Sequence, residues 1–260
     1  MANDSTAPAP PPRPPPEVPP AGVVAAARFG LAWVWSLLIG GVALGMVQER
    51  EPPRVWATLA PLWGSFGLEI IGVKLRVLNP ERLKGPALFL VQHISFVDVL
   101  YVPAILPPET TFVIKEDLAK IPVFGWAIRA GGAVLLPRGQ SAEAISRLNT
   151  AVARRAPGQS LAIFPEGTRG YTGELLPFKR GAFHVALAAR LPVVVIGAAG
   201  PERLMPKGGW ILRPGRVTVA VSEPISTEGW ALETLAEHME ECRAVMEGER
   251  RRALAEEEEG

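Results

Sequence analysis

The stretch ALFLVQHISFVD, residues 87–98, decides the fold, because it joins an apolar run to a polar turn and the start of a helix. An apolar run of about four to eight residues bounded by turn signals is typical of a buried strand. Similar runs recur along the rest of the chain, with helical patterns between them. We predict strands at Ala87 to Val91, Thr111 to Ile114, Ala133 to Leu136, Leu161 to Phe164, Val193 to Ile196 and Val217 to Val221.

Strands that alternate with helices indicate an α/β domain, which we expect to hold a mixed, mostly parallel sheet flanked by helices. One surface helix is predicted over Ser141 to Arg155, where apolar residues repeat at helical spacing behind a capping serine. An amphipathic helix is predicted from about Glu228, with the acidic run Glu256 to Glu259 as its solvated, frayed end.

The N-terminal part of the chain has a different composition. Residues 1–21 are dominated by proline and alanine and predict a disordered tail. From Phe29 to Val47 no residue is charged, and this run approaches the roughly 20 residues that an apolar helix needs to span a bilayer. The stretch from Val55 to Ile71 is also apolar, but proline, glycine and glutamate interrupt it.

These features predict an N-terminal membrane-binding helical hairpin in residues 22–75, embedded in one leaflet, ahead of an α/β domain in residues 76–260. Two alternatives remain open, a single transmembrane helix and a cleaved signal peptide. The signal peptide is disfavoured, because the region before the apolar run is rich in proline and shows no small-residue cleavage pattern.

Charge and composition argue against several classes of function. The formal net charge is +1, so the chain lacks the overall basic field that nucleic-acid binding needs. The single cysteine, Cys242, cannot form an internal disulfide, and the three histidines lie at no close metal-ligand spacing. We therefore expect no nucleic-acid partner, no metal and no other cofactor.

His93 follows the first predicted strand, and Asp98 comes five positions later. If the next helix begins at Ser95, His93 lies in the preceding turn and can fold back to reach Asp98. A carboxylate that holds one imidazole nitrogen leaves the other as a base near neutral pH. Ser95 and Asp98 also resemble a capping box, in which the aspartate only accepts backbone N–H groups. The residues alone leave both interpretations open.

A second candidate motif, FPEGTR at Phe164 to Arg169, follows a predicted strand. Its proline and glycine turn the chain at the carboxyl end of that strand, where open α/β sheets bind ligands, and the planar fork of Arg169 suits a phosphate. Lys115 and Arg138 flank a glycine-rich loop and can bring positive charge to one pocket mouth. The alternative for each is an ordinary turn or a solvated surface cation.

Together the motifs resemble the glycerolipid acyltransferase family, and within it the 1-acylglycerol-3-phosphate acyltransferases, also called lysophosphatidic acid acyltransferases. The resemblance covers roughly residues 85–225 and rests on four motifs in the family's order. These motifs are His93-x4-Asp98, the block from Lys115 to Arg138, FPEGTR at Phe164 to Arg169, and the segment Leu191 to Val194.

The resemblance implies that His93 is the general base and Asp98 its partner. It also implies a substrate-binding set that consists of Glu166, Gly167, Thr168, Arg169, Arg138 and Lys115. The chain departs from the family pattern at Gln92, where asparagine is common, and at Gly170, where serine is common. Both departures lie beside motif residues, so they bear on the choice of acceptor.

The implied reaction moves a fatty acyl group from acyl-CoA or acyl carrier protein to the sn-2 hydroxyl of 1-acyl-sn-glycerol 3-phosphate, giving phosphatidic acid. A lysophospholipid acceptor, an acyl donor and the bilayer are then the expected partners, at the cytoplasmic face of the inner or plasma membrane. Two rival functions are the same chemistry on another acceptor, such as glycerol 3-phosphate or a lyso-ornithine lipid, and a non-catalytic membrane scaffold.

Overall fold

The structure is a computed structural model that describes residues 22–47, 52–120, 132–136, 142–170, 173–206 and 208–259. The strands are β1 (Val73–Leu78), β2 (Leu88–Val91), β3 (Thr111–Lys115), β4 (Val134–Leu136), β5 (Leu161–Ile163), β6 (Val193–Ala199) and β7 (Gly215–Val221). They form one sheet in the order β1-β7-β6-β2-β5-β3-β4. The β6–β7 pair is antiparallel and the other described pairs are parallel, so the predicted mixed, mostly parallel α/β fold is confirmed.

The helices of the described residues flank this sheet and precede it. They are α1 (Val23–Val47), α2 (Pro52–Ile71), α3 (Asp98–Ile105), α4 (Ala142–Ala153), α5 (Arg180–Ala189), α6 (Pro201–Leu204) and α7 (Leu235–Glu259), with short 3-10 turns at Pro80–Arg82 and Glu116–Lys120. One buried apolar cluster contains residues of α2 and α3, and a second contains residues of α4, α5 and α7. Each face of the sheet is thus covered, as parallel strands require.

The edge strand β1 was missed by the sequence analysis. Its residues alternate between apolar and basic types, and Lys74 is exposed while Val73 is buried. A half-exposed edge strand lacks the continuous apolar run by which the buried strands were predicted. The sheet therefore begins at Val73, and the boundary placed between residues 75 and 76 falls inside β1.

The last helix differs from its prediction at both ends. It begins at Leu235 rather than near Glu228, and it continues to Glu259 without fraying. Two of its terminal carboxylates form ion pairs, Glu256 with Arg76 and Glu257 with Arg203. These ion pairs hold Glu256 and Glu257 against β1 and α6, whereas the last two glutamates of the acidic run are exposed.

The helices α1 and α2 pack as an antiparallel hairpin. Arg28 Nη1 donates to the carbonyl of Ile71 at 3.4 Å, whereas Trp35 Nε1 donates to the carbonyl of Trp63 at 3.1 Å and Trp63 Nε1 to Ser36 Oγ at 2.9 Å. As the residue number rises in one helix it falls in the other. The hairpin predicted within residues 22–75 is thus formed, while the predicted tail at residues 1–21 lies outside the described residues.

The hairpin differs in exposure along its two helices. Val55 in α2 is buried, whereas Leu31, Trp33 and Leu37 in α1 remain more than half exposed. Residues Val23–Met46 are long and apolar enough to cross a membrane, judged by length and composition alone. At Gly64 an added Cβ would lie 2.3 Å from the carbonyl oxygen of Leu100, so α2 touches the backbone of α3 at this glycine.

The topology brings three chain segments to one edge of the sheet. β2 lies between β6 and β5, and all three strands run parallel. The segments that leave their carboxyl ends begin at Gln92, Phe164 and Gly200 and are therefore neighbours. Open α/β sheets bind ligands at this edge.

Candidate active site

His93 and Asp98 are in contact where β2 ends and α3 begins. His93 Nδ1 lies 2.9 Å from Asp98 Oδ2, and the imidazole stacks on the ring of Phe164 with 4.2 Å between ring centroids. The side chain of His93 is 21% exposed while that of Asp98 is fully buried. With Nδ1 directed at the carboxylate, Nε2 is the nitrogen left for a substrate.

Asp98 also accepts two backbone hydrogen bonds. Its Oδ2 accepts the N–H of Ile94 at 2.7 Å and that of Ser95 at 2.9 Å. One carboxylate therefore accepts both the imidazole and two backbone N–H groups of the turn, although the helix begins at Asp98 and not at Ser95, so no reciprocal capping box forms. Ser95 is buried and its hydroxyl donates to the carbonyl of Met205 at 2.8 Å, so this serine is poorly placed to act as a nucleophile.

Glu166 lies beneath the His93 loop and is fully buried. Its Oε1 accepts the backbone N–H of His93 at 2.8 Å, and its Oε2 accepts that of Leu176 at 3.0 Å. Burial raises the pKa of this carboxyl to about 7, although both backbone hydrogen bonds act in the opposite direction. Both oxygens of this buried carboxylate thus accept backbone N–H groups, and its expected contact with the substrate stays a prediction.

The turn at Gly167 carries positive charge on both sides. Gly167 has a φ of 64°, in the left-handed region that glycine adopts without strain. Lys115 Nζ donates to the Gly167 carbonyl, and the stem of Lys179 lies on the turn, 3.5 Å from where a Cβ of Gly167 would be. The Gly167 N–H donates to the Phe164 carbonyl at 3.1 Å, so this amide is committed to the turn itself.

The remaining predicted site residues fall into two groups. Thr168 is exposed and Arg169 half-buried, and both continue the turn that carries Gly167. Arg138 lies outside the described residues. The sequence analysis missed the contact of Phe164 with His93, and the available signal was the position of this aromatic residue directly before the turn.

Alternative reactive groups are poorly placed in the part of the chain that the structure describes. Cys242 is buried in α7, and burial raises the pKa of its thiol to about 12, so the thiol is protonated near neutral pH. Among the described residues, no group of three or more histidine, cysteine, aspartate or glutamate side chains could hold a metal ion. His93 and Asp98 therefore remain the candidate acid–base pair among the described residues.

Comparison with known proteins adds a family and a set of relatives. The family model described as Acyltransferase matches residues 74–198. The chain is 35% identical over 182 residues to the 1-acyl-sn-glycerol-3-phosphate acyltransferase of Saccharomyces cerevisiae, covering 68% of this chain and 60% of that protein. It is 29% identical over 210 residues to the enzyme of the same name from Limnanthes douglasii, covering 78% and 75%.

Among solved structures, the chain is similar to the 1-acyl-sn-glycerophosphate acyltransferase PlsC from Thermotoga maritima. The TM-score is 0.68 with 24% sequence identity, and the match covers 87% of this chain and 95% of that one. At this identity the likeness concerns the fold.

Proposed function

The chain belongs to the acyltransferase family, and we propose that it transfers a fatty acyl group from an acyl thioester to the sn-2 hydroxyl of 1-acyl-sn-glycerol 3-phosphate. The product is phosphatidic acid, which places the reaction in phospholipid biosynthesis. One observation carries the proposal, the 2.9 Å contact between His93 Nδ1 and a buried Asp98 beside a cationic turn. The names of the relatives support this choice of acceptor.

The proposed mechanism begins with proton transfer to His93. The unprotonated Nε2 takes the proton of the sn-2 hydroxyl while the alcohol oxygen attacks the thioester carbonyl. Asp98 holds Nδ1–H and favours the imidazolium that forms. When the tetrahedral intermediate collapses, the carbon–sulfur bond breaks and Nε2–H returns the proton to the departing thiolate. No acyl-enzyme forms in this mechanism, because the Ser95 hydroxyl already donates a hydrogen bond to the Met205 carbonyl.

The acceptor phosphate is proposed to bind at the Gly167 turn. Lys115 and Lys179 contact this turn, and Arg169 follows it two residues later. Charge-assisted hydrogen bonds to a phosphate monoester are stronger than those between neutral groups, and an arginine can make two at once. Arg138 is proposed as a further phosphate contact on the strength of the family resemblance alone.

The donor is proposed to be acyl-CoA or acyl carrier protein, and the reaction needs no metal or organic cofactor. The α1–α2 hairpin supports binding to the bilayer, where a lysophospholipid acceptor is presented, because the exposed face of α1 is apolar. We place the catalytic domain at the cytoplasmic face of the inner or plasma membrane, since acyl thioesters are made in the cytoplasm.

The decisive experiment measures thiol release from an acyl thioester with and without 1-acyl-sn-glycerol 3-phosphate. We expect release to require the acceptor and to fall about 1,000-fold or more in His93→Ala. His238→Ala is the matched control, because His238 is similarly exposed and also pairs with a carboxylate, Glu241 at 3.2 Å. Acceptor-independent release, or an active His93→Ala protein, would contradict the proposal.

The rival acceptor is tested through the cations of the Gly167 turn. In Lys115→Met and Arg169→Met proteins, KM for a phosphate-bearing acceptor should rise about tenfold or more. KM for an acceptor without a phosphate monoester, such as a lyso-ornithine lipid, should change little. If KM rose for the acceptor without a phosphate monoester and stayed unchanged for the phosphate-bearing one, the rival acceptor would be favoured over lysophosphatidic acid.

A further inference from the structure

A buried polar cluster lies behind the candidate catalytic histidine. We define the Arg250 cluster as Gln92, Gly173, Ala198, Glu202 and Arg250, which come from five different segments of the chain. Gln92 directly precedes His93 and is fully buried. The side chains of Arg250 and Glu202 are only 15% and 13% exposed. Buried polar groups on this scale are costly unless they are paired, so their arrangement calls for a function.

Gln92 joins two of these segments through its side-chain amide. Its Nε2 donates to the carbonyl of Gly173 at 3.1 Å, and its Oε1 accepts the N–H of Ala198 at a long 3.5 Å. Gly173 follows Gly167 by six residues in the chain. The glutamine side chain thus reaches from the histidine segment to the acceptor side of the site.

Arg250 closes the cluster from the last helix. Its Nη1 donates to the carbonyl of Ala198 at 3.1 Å, and its Nη2 lies 3.8 Å from Glu202 Oε1. At Gly173, which has a φ of 78°, an added Cβ would lie 2.7 Å from Arg250 Nη2. The guanidinium therefore rests against the backbone of the loop at a position where only glycine leaves room for it.

The path of α7 explains how an arginine so late in the chain reaches the site. At Gly197 in β6, an added Cβ would lie 2.5 Å from the backbone nitrogen of Arg250. The helix α7 therefore crosses β6 in backbone contact at this glycine. This close approach places the backbone of Arg250 near the carboxyl end of β6, so its side chain begins next to Ala198.

The loop that Arg250 touches is tied to the histidine segment at two points and to Glu166 at a third. The Gly170 N–H donates to the His93 carbonyl at 3.3 Å, and the Leu176 N–H donates to Glu166 Oε2 at 3.0 Å. The bond between Gln92 and Gly173 lies between these two. A displacement of the loop therefore changes the distance between the cationic turn and His93.

We propose that Arg250 is a positioning residue that holds the loop at Gly173 in contact with Gln92. Through this contact it sets the affinity for the acceptor. This inference rests on the proposed function, because it assigns the Gly167 turn to the acceptor phosphate. Arg250 does not touch the reacting atoms. Its removal relaxes the loop and leaves the His93–Asp98 pair intact, since Asp98 is held by its own backbone contacts.

The kinetic test compares Arg250→Met with Arg250→Lys and Arg252→Met. Arg252 is the matched control, because it lies on the same helix but pairs with Glu249 and Asn79 instead. We expect Arg250→Met to raise KM for the acceptor about tenfold, with kcat, its pH profile and KM for the thioester within about twofold of the wild type. Arg250→Lys should recover part of the loss, because an ammonium can pair with Glu202 but cannot make the forked contact.

A second measurement does not depend on turnover. Hydrogen exchange at the amides of Gly170 and Leu176 should become about tenfold faster in Arg250→Met and stay unchanged in Arg252→Met. Unchanged exchange, or an unchanged acceptor KM alongside a lowered melting temperature, would overturn the positioning role. If exchange responds but the wild type fails to acylate lysophosphatidic acid, the acceptor assignment fails, and with it the claim that Arg250 sets acceptor affinity.

Discussion

Asp98 and Glu166 are two carboxylates of the candidate site that make different contacts with His93. Both are fully buried, and each accepts two backbone N–H groups. Asp98 also accepts the imidazole of His93, whereas Glu166 contacts only the backbone of that residue. Asp98 contacts the ring and Glu166 contacts the loop that carries it. Residue type and burial alone therefore do not decide which carboxylate takes part in proton transfer.

The largest effect that separates the two carboxylates is expected from Asp98→Asn. The amide keeps one acceptor oxygen but no longer favours the imidazolium, so kcat should fall about 1,000-fold or more. Thiol release by the purified variant measures this loss. Asp117→Asn, at a surface residue that pairs with Lys120, is the control and should keep full activity.

Glu166→Gln should act mainly on stability. A glutamine accepts one backbone N–H, but its NH2 group then faces the second donor, so we expect a loss of about 2 kcal/mol in the free energy of unfolding. Turnover should fall about tenfold to 100-fold, well short of the loss in Asp98→Asn. Denaturant titration and thiol release give the two values. A variant as inactive as Asp98→Asn with unchanged stability would give Glu166 a direct role in the reaction.

The last expected effect is a pH dependence of stability from Glu166. Its pKa rises on folding from 4.5 to about 7, so the folded chain binds the proton more tightly than the unfolded chain. The contribution is fully present below pH 4.5 and is lost as the pH rises through about 7, by at most about 3 kcal/mol. Glu166→Gln should remove this part of the slope in denaturant titrations between pH 5 and 8. If the slope of unfolding free energy against pH is unchanged in Glu166→Gln, other groups cause the pH dependence.

Six of the seven described strands could be predicted because each contains a local apolar run. The structure contains all of them, with ends that differ by a few residues from the predicted ones. The start of α7 could not be located in the same way, because the chain near Trp230 forms turns whose residues are compatible with a helix. The edge strand β1 was missed because only part of it is buried.

The sequence by itself determined the order of the motifs and the five-residue spacing that lets His93 reach Asp98 within one turn, while the contact itself was seen only in the structure. The catalytic role of this pair stays a prediction until the variants are measured. Local geometry can bring such near neighbours together without knowledge of the rest of the chain. The resemblance to acyltransferases rested on the same short-range patterns.

Only the tertiary structure decided what Glu166 and Arg250 contact. Glu166 meets the backbone of His93 across 73 residues of sequence, and Arg250 meets Ala198 across 52. The strand order brings these residues together despite their separation in sequence. It places β2 between β5 and β6 and lets α7 cross β6 at Gly197. Strand order depends on how all the apolar faces pack together, and no local pattern around either residue encodes it.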